Sequence, residues 1–309
     1  MRVIVLGHDY FSMMFYKDYS SYLSYKNMGR NHLCYFKKLS IKSVIKFLQS
    51  EIIWVMGGSL NLADGPRKFL LIVFSLLFRK KVIVYWLGSD SMNVQVTNGF
   101  FNKYIRKKCD HLCRVDWIRD RLKSKGVNAD VLEIFIPRVD FNYKRLSQVK
   151  DTKLRCLSYI GKNHESFYGY REIIKLCSIH PNVEFTIIGT DLKPNIIPHN
   201  LTVKGWVKDV NIEYKTHEVF IRYIEHDALS ISVLEALGHG MNVCYSYPLE
   251  CCKYTPTFNI LSESIFNINQ SFQSDAEDFI NICGIEMIRN KFSKDVVYGL
   301  VDNFINEKQ

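Results

Sequence analysis

The strongest constraint on this chain is a rhythm. Short runs of β-branched and other apolar residues, mostly four to six long, alternate with longer stretches of helical spacing. The runs at 3–6, 52–56, 82–86, 111–115 and 129–134 form a first set, and those at 155–160, 184–188, 201–204, 219–223, 242–245 and 260–261 a second. Strands that are apolar at nearly every position are buried on both faces, and the helix-length segments between them supply the crossovers that parallel pairing needs. The class is therefore α/β with parallel sheets. After the polar stretch 144–153 the pattern restarts at Leu157-Ser158-Tyr159-Ile160-Gly161. Two Rossmann-like domains of similar size are expected, 1–150 and 151–292, with a last helix at about 293–309 packing back on the first.

The 47% of hydrophobic and 23% of charged residues exclude a disordered chain. The net charge of +10 is unevenly spread: residues 1–150 hold 26 Lys/Arg against 11 Asp/Glu, and the remainder 15 against 20. A basic half suits an anionic partner, although charged helix faces also serve solubility alone. Nine scattered cysteines in apolar contexts suit reduced, buried thiols in a cytoplasmic setting rather than a disulfide framework. Cys109-x-His111-x-Cys113 lacks a second ligand pair at zinc spacing and reads as core. The apolar run 69–78 falls short of a membrane span and is flanked by Arg67-Lys68 and Arg79-Lys80-Lys81. It reads as a buried crossover helix, with a helix lying on a membrane surface as the alternative.

Ligands of open parallel sheets bind beyond the carboxyl ends of strands, and the informative residues sit there. After the run 219–223 comes Glu225-His226-Asp227-Ala228-Leu229-Ser230-Ile231-Ser232, then a helix ended by Gly238 and Gly240. A helix amino terminus in that loop offers N–H groups and a positive dipole end to a phosphate. The spacing Ser232-x-x-Glu235 also fits a capping box, in which Glu235 does nothing more than close the helix end.

The run from Asp227 through seven residues to Glu235-Ala236-Leu237 and on to Gly240 resembles the E-x7-E element of retaining glycosyltransferases with two Rossmann-like domains, the GT-B fold. His226-Asp227-Ala228-Leu229-Ser230 is similar to a variant found in members that build bacterial surface polysaccharides. The resemblance implies two parallel sheets facing across a cleft, a nucleoside-diphosphate sugar as donor, Glu235 on the ribose hydroxyls and Asp227 beside the donor sugar, with Asp standing where Glu is usual. Tyr159-Ile160-Gly161-Lys162 resembles the step that opens the donor domain, which makes Lys162 the cation for the diphosphate. The next phosphate cation of the family is replaced by Tyr168-Gly169, leaving Arg171 or Arg222 to supply it. Arg222, at a strand end just before the acidic loop, is read as a partner of phosphate or of a carboxylate, and Ser230 and His226 as donor-side residues.

In the first half, Leu87-Gly88-Ser89-Asp90 resembles the family's His-Gly-Thr-Asp segment, with leucine at the histidine position. Asp90 either contacts substrate as a catalytic residue or caps the next helix. Gly7, Gly57 and Gly58 follow strands, as acceptor-side glycines or as tight turns. No G-x-G-x-x-G, P-loop or Asp-x-Asp pattern occurs, so no cofactor and no metal is expected.

The expected activity is a hexosyltransferase-type transfer, with retention, to a glycan or polyprenyl-linked acceptor in surface polysaccharide synthesis. The cationic half fits peripheral contact with anionic lipid at the inner face of the cytoplasmic membrane. Nucleic-acid motifs are missing. The alternatives are a sugar-nucleotide epimerase of the same fold and a non-catalytic basic binding module.

Overall fold

A computed structural model describes residues 3–25, 33–35, 41–139, 141, 153–274 and 279–307. The chain divides into two compact units, residues 1–135 with 294–309, and residues 136–293. The division falls at Phe135, ahead of the polar stretch where the sequence suggests it.

In the first unit, β1 (Val3–Gly7), β2 (Leu33–Tyr35), β3 (Ile52–Met56), β4 (Lys81–Trp86), β5 (Asp110–Cys113) and β6 (Asp130–Val131) form one sheet in the order β2-β1-β3-β4-β5-β6. Every pairing is parallel. The central β3 is buried at all five positions and β4 at all but its first, which is why both read as unbroken apolar runs. Helices α1 (Asp9–Tyr25), α2 (Ile41–Gln49), α3 (Pro66–Leu77), α4 (Ser89–Asn93), α5 (Phe100–Lys108) and α6 (Asp116–Ser124) make the connections. The step from β1 to β2 runs one way along the sheet, and every later step runs the other way. Right-handed crossovers therefore put α1 on one face and α2, α3 and α5 on the opposite face.

The last helix, α12 (Lys294–Glu307), covers the α1 face. Tyr298 packs against Phe15, Tyr19 and Tyr22, and the Tyr19 hydroxyl donates to Asp302.

The second unit repeats the plan. Strands β7 (Arg155–Tyr159), β8 (Glu184–Ile188), β9 (Leu201–Gly205), β10 (Val219–Arg222), β11 (Asn242–Tyr245) and β12 (Lys253–Tyr254) lie in the order β12-β11-β10-β7-β8-β9, again all parallel. Its helices are α7 (Tyr170–Ile179), α8 (Val210–Thr216), α9 (Ile231–Gly238), α10 (Phe258–Ser274) and α11 (Ile282–Lys291). The core gathers Cys156, Ile160, Leu176, Phe185 and Ile221 from sheet and helix. In each sheet the winding direction reverses once, between β1 and β3 and between β7 and β10. Those are the points where crossovers depart to opposite sides and leave a crevice at the strand ends.

Three expectations are corrected. Residues 260–261 are not a strand; they lie in α10, whose buried Leu261, Ile265, Ile268 and Phe272 recur at helical spacing. The run 69–78 is only half a buried crossover helix, since α3 buries Phe69, Ile72 and Ser75 but exposes Leu70, Phe74 and Leu77. Not all cysteines are thiols: Cys251 and Cys283 form a disulfide, with Cα atoms 5.7 Å apart. Cys283 lies in the first turn of α11, whose cap Asn281 donates to the Cys251 carbonyl at 2.9 Å, a meeting across 32 residues that spacing alone does not announce. Cys109, Cys113, Cys156, Cys177 and Cys244 are free and buried.

Candidate active site

The reversal point of the second sheet collects most of the residues singled out above. β7 ends at Tyr159 and leads through Ile160 to Gly161 and Lys162, and β10 beside it ends at Arg222 and leads into the acidic loop. Gly161 packs against the Tyr168 ring, where a Cβ has no room without displacing the ring edge. Lys162 is exposed, and its Nζ donates to Asp191 Oδ2 at 3.0 Å, with side-chain exposures of 64% and 69%. So exposed an ion pair is worth ~0–1 kcal/mol, and Lys162 can exchange Asp191 for a phosphate at small cost.

Arg222 is of the opposite kind. It is 7% exposed, its Nε donates to Asp227 Oδ2 at 3.0 Å, and its guanidinium lies 4.8 Å from the centre of the Tyr168 ring. Burial by itself disfavours the charge, but Asp227 and Tyr168 raise the pKa above the ordinary arginine value. Of the two partners expected for Arg222, the structure provides the carboxylate. The other oxygen of Asp227 accepts from the Ala228 N–H at 2.9 Å. Tyr245, paired in register with Arg222, is buried beside the same group, and its phenol is pushed well up, first by burial and then by Asp227. His226 is buried, with its ring edge-on to Tyr247.

Leu229 then takes a left-handed conformation, φ 67°, and turns the chain into α9. Ser230 is the amino-terminal cap by position, but its hydroxyl pairs with that of Ser232 at 2.6 Å instead of capping the helix. The Val233 and Leu234 N–H groups bond back to Ser230, and those of Ile231 and Ser232 precede the helix's own ladder.

The capping-box alternative for Glu235 fails. The helix is capped by position at Ser230 rather than Ser232, and the carboxylate is bound elsewhere: Oε1 accepts from the Arg138 N–H and Oε2 from the Tyr214 hydroxyl, each at 3.2 Å. Burial raises the Glu235 pKa, and the two donors only partly offset that. Tyr214, held by α8, is itself buried and pushed well above its ordinary value by burial and by Glu235. Sequence reasoning missed Tyr214 and Arg138. A tyrosine in a seven-residue helix carries no motif, and a backbone N–H has no side-chain signature at all.

In the first unit, the expected residues gather at the β1/β3 reversal. Gly7 has φ 109° and Gly57 φ 94°, conformations that favour glycine, and Gly58 lies flat on the Trp86 ring, where a Cβ would penetrate it. Asp90 accepts four N–H groups: Gly58 at 2.6 Å, Leu87 at 3.1 Å, Gly88 at 2.8 Å and Ser91 at 3.0 Å. Asp90 is not the cap residue of α4, a position that Gly88 takes; from the first turn of the helix its carboxylate clamps the loops after β3 and β4 together. Among the described residues, no group of three His, Cys, Asp or Glu side chains converges as metal ligands. No described helix is long and apolar enough to cross a membrane.

No family model matches the chain, and no curated protein matches it. Solved structures do. The Anabaena protein HepE, solved with UDP and glucose, aligns with a TM-score of 0.68 at 8% identity over 99% of both chains. A glycosyltransferase from Rickettsia africae aligns with a TM-score of 0.70 at 12% identity, covering 99% of this chain and 97% of that one. The pneumococcal O-GlcNAc transferase GtfA, solved with UDP and GlcNAc, aligns with a TM-score of 0.58 at 10% identity over 86% of this chain. That match spans 59% of the length of GtfA. The shared feature is the fold: two Rossmann-like α/β units of the GT-B type.

Proposed function

We propose that this protein is a glycosyltransferase that moves a sugar from a nucleoside-diphosphate sugar to a hydroxyl group of a glycan or lipid-linked glycan. One observation carries the reading. Glu235 keeps a carboxylate half-buried beside the reversal point of the second sheet, held by the Arg138 N–H and the Tyr214 hydroxyl although burial disfavours its charge. A carboxylate of that kind, with lone pairs left over, suits the paired hydroxyls of a ribose. The nucleotide complexes of HepE and GtfA support the same donor class.

In this reading the bond from the anomeric carbon to the diphosphate oxygen breaks and a bond to the acceptor oxygen forms. Negative charge then grows on the departing diphosphate. The N–H groups of Ile231 and Ser232, fixed by the helix start, and the ammonium of Lys162, exchanged from Asp191, meet that charge. The acceptor proton passes to the leaving phosphate oxygen, the route that goes with retention. Gly161 lets the diphosphate come close to the backbone. Arg222 acts as a positioning residue, setting Asp227 at the sugar end, while Ser230 and His226 line the loop. Asp90 serves the first unit as a clamp for the loops that carry Gly57 and Gly58. A hexose donor, a surface-polysaccharide acceptor and a cytoplasmic setting complete the proposal, and no step in it is assigned to a metal.

Isothermal titration of the full chain with UDP, GDP and ADP and their sugars tests the donor site. Tight binding to one nucleotide series is expected, with at least a tenfold loss in Glu235→Ala. Nucleoside diphosphate released only when acceptor is present marks a transferase, whereas interconversion of donor isomers without release would overturn the reading in favour of an epimerase.

A further inference from the structure

The first unit leaves one broad surface unburied. Helices α2, α3 and α5 share a face of its sheet, and aromatic contacts join them sideways. Phe47 of α2 meets Phe74 of α3 with ring centres 5.8 Å apart, and Phe69 of α3 meets Phe101 of α5 at 6.2 Å. Outward from this seam, Ile45 and Leu48 are 49% and 51% exposed, Leu70, Phe74 and Leu77 are 57%, 51% and 71% exposed, and Phe100 is 74% exposed. Scattered apolar side chains on a surface need no explanation, but a continuous patch over three helices marks an interaction site.

Charge narrows the partner. The three helices contain no Asp or Glu. Exposed cations border the patch, Lys107 and Lys108 at the end of α5 and Arg79 after α3, while Lys80 and Arg106 donate to backbone carbonyls beside it. A second copy of the same face would set cation against cation. An anionic bilayer satisfies both halves of the pattern, taking the apolar side chains into the boundary of its acyl region and the cations among its phosphates.

We propose that this face docks the protein on a membrane rich in anionic phospholipid, with α3 lying along the surface and Phe100 inserted. The inference involves no residue of the donor site, so vesicle binding and nucleotide binding succeed or fail separately.

The test is cosedimentation of the full chain with vesicles of phosphatidylglycerol and phosphatidylcholine, against phosphatidylcholine alone, at low and high salt. Binding to the anionic vesicles is expected to be at least ~10-fold stronger and to weaken with salt. Joint substitution of Leu70→Ser, Phe74→Ser and Leu77→Ser is expected to lower it ~10-fold with nucleotide binding retained. A separate Phe100→Trp variant reports insertion without disturbing α3, through a blue-shifted emission that appears only with anionic vesicles. Equal binding to both vesicle types, wild-type binding by the triple variant, or an unshifted emission would each overturn the proposal. So would a self-association in sedimentation velocity that the triple variant abolishes while vesicles bind nothing.

Discussion

Arg222 is buried and Glu235 half-buried, and their surroundings treat the two charges differently. Arg222 has a carboxylate and an aromatic face to compensate its burial, whereas Glu235 has two donors that do not fully compensate. A carboxyl whose folded pKa is raised stabilises the fold most below its unfolded pKa, near 4.5, and that contribution is lost as pH rises through the folded value. Glu235→Gln is therefore expected to raise the melting temperature at neutral pH, with the gain vanishing below about pH 4, while nucleotide affinity falls at least tenfold. A residue that costs stability and is needed for binding separates function from structure in one pair of measurements. Arg222→Met is the converse case. It takes the arginine charge from a largely buried Asp227, and denaturant unfolding is expected to show a loss of ~3 kcal/mol together with weaker donor binding.

At the scale of elements, the clamp between β3 and β4 rests on a single side chain. Asp90→Ala removes the acceptor for four N–H groups. It is expected to cost ~3 kcal/mol in denaturant unfolding and to loosen the loops at Gly58 and Gly88, seen as faster amide exchange there. The strands that frame such sites were readable where burial on both faces imposes an apolar run: β3, β8 and β11 begin and end where the residues suggest. Edge strands β2 and β12 were not legible: β2 is a three-residue apolar piece, Leu33–Tyr35, too short to mark a strand by itself, and β12 is only Lys253–Tyr254, and both pair with a single neighbour. The pair 260–261 looked like a strand for the same reason that it packs well in α10, namely that apolar residues serve either context until their spacing over four turns is considered. In the site, the spacing from Asp227 to Glu235 was legible since it is fixed by one loop and one helix. The company those residues keep, Tyr214 and the Arg138 N–H, comes from segments distant in sequence.

On the scale of the whole molecule, both units share a sensitivity to acid. His111 in β5 and His217 at the end of α8 are buried, and burial lowers each pKa to about 4. A histidine with a depressed folded pKa contributes stability that is complete above its unfolded value of 6.5 and is lost as pH falls through the folded value. Each is expected to withdraw about 3 kcal/mol between pH 6.5 and 4, so denaturant midpoints should fall steeply across that window for both units and only slightly between pH 8 and 7. The course of the chain adds a further asymmetry. The second unit is one unbroken segment, but the first is closed by α12, whose Val297, Tyr298, Val301 and Ile305 are buried. During synthesis the residues of the second unit therefore precede α12, and the aromatic flank of the first, Phe15, Tyr19 and Tyr22, waits for that helix until the second unit has been made. The part of the protein made first is the part finished last, and in that interval its aromatic side chains are the natural target of a chaperone.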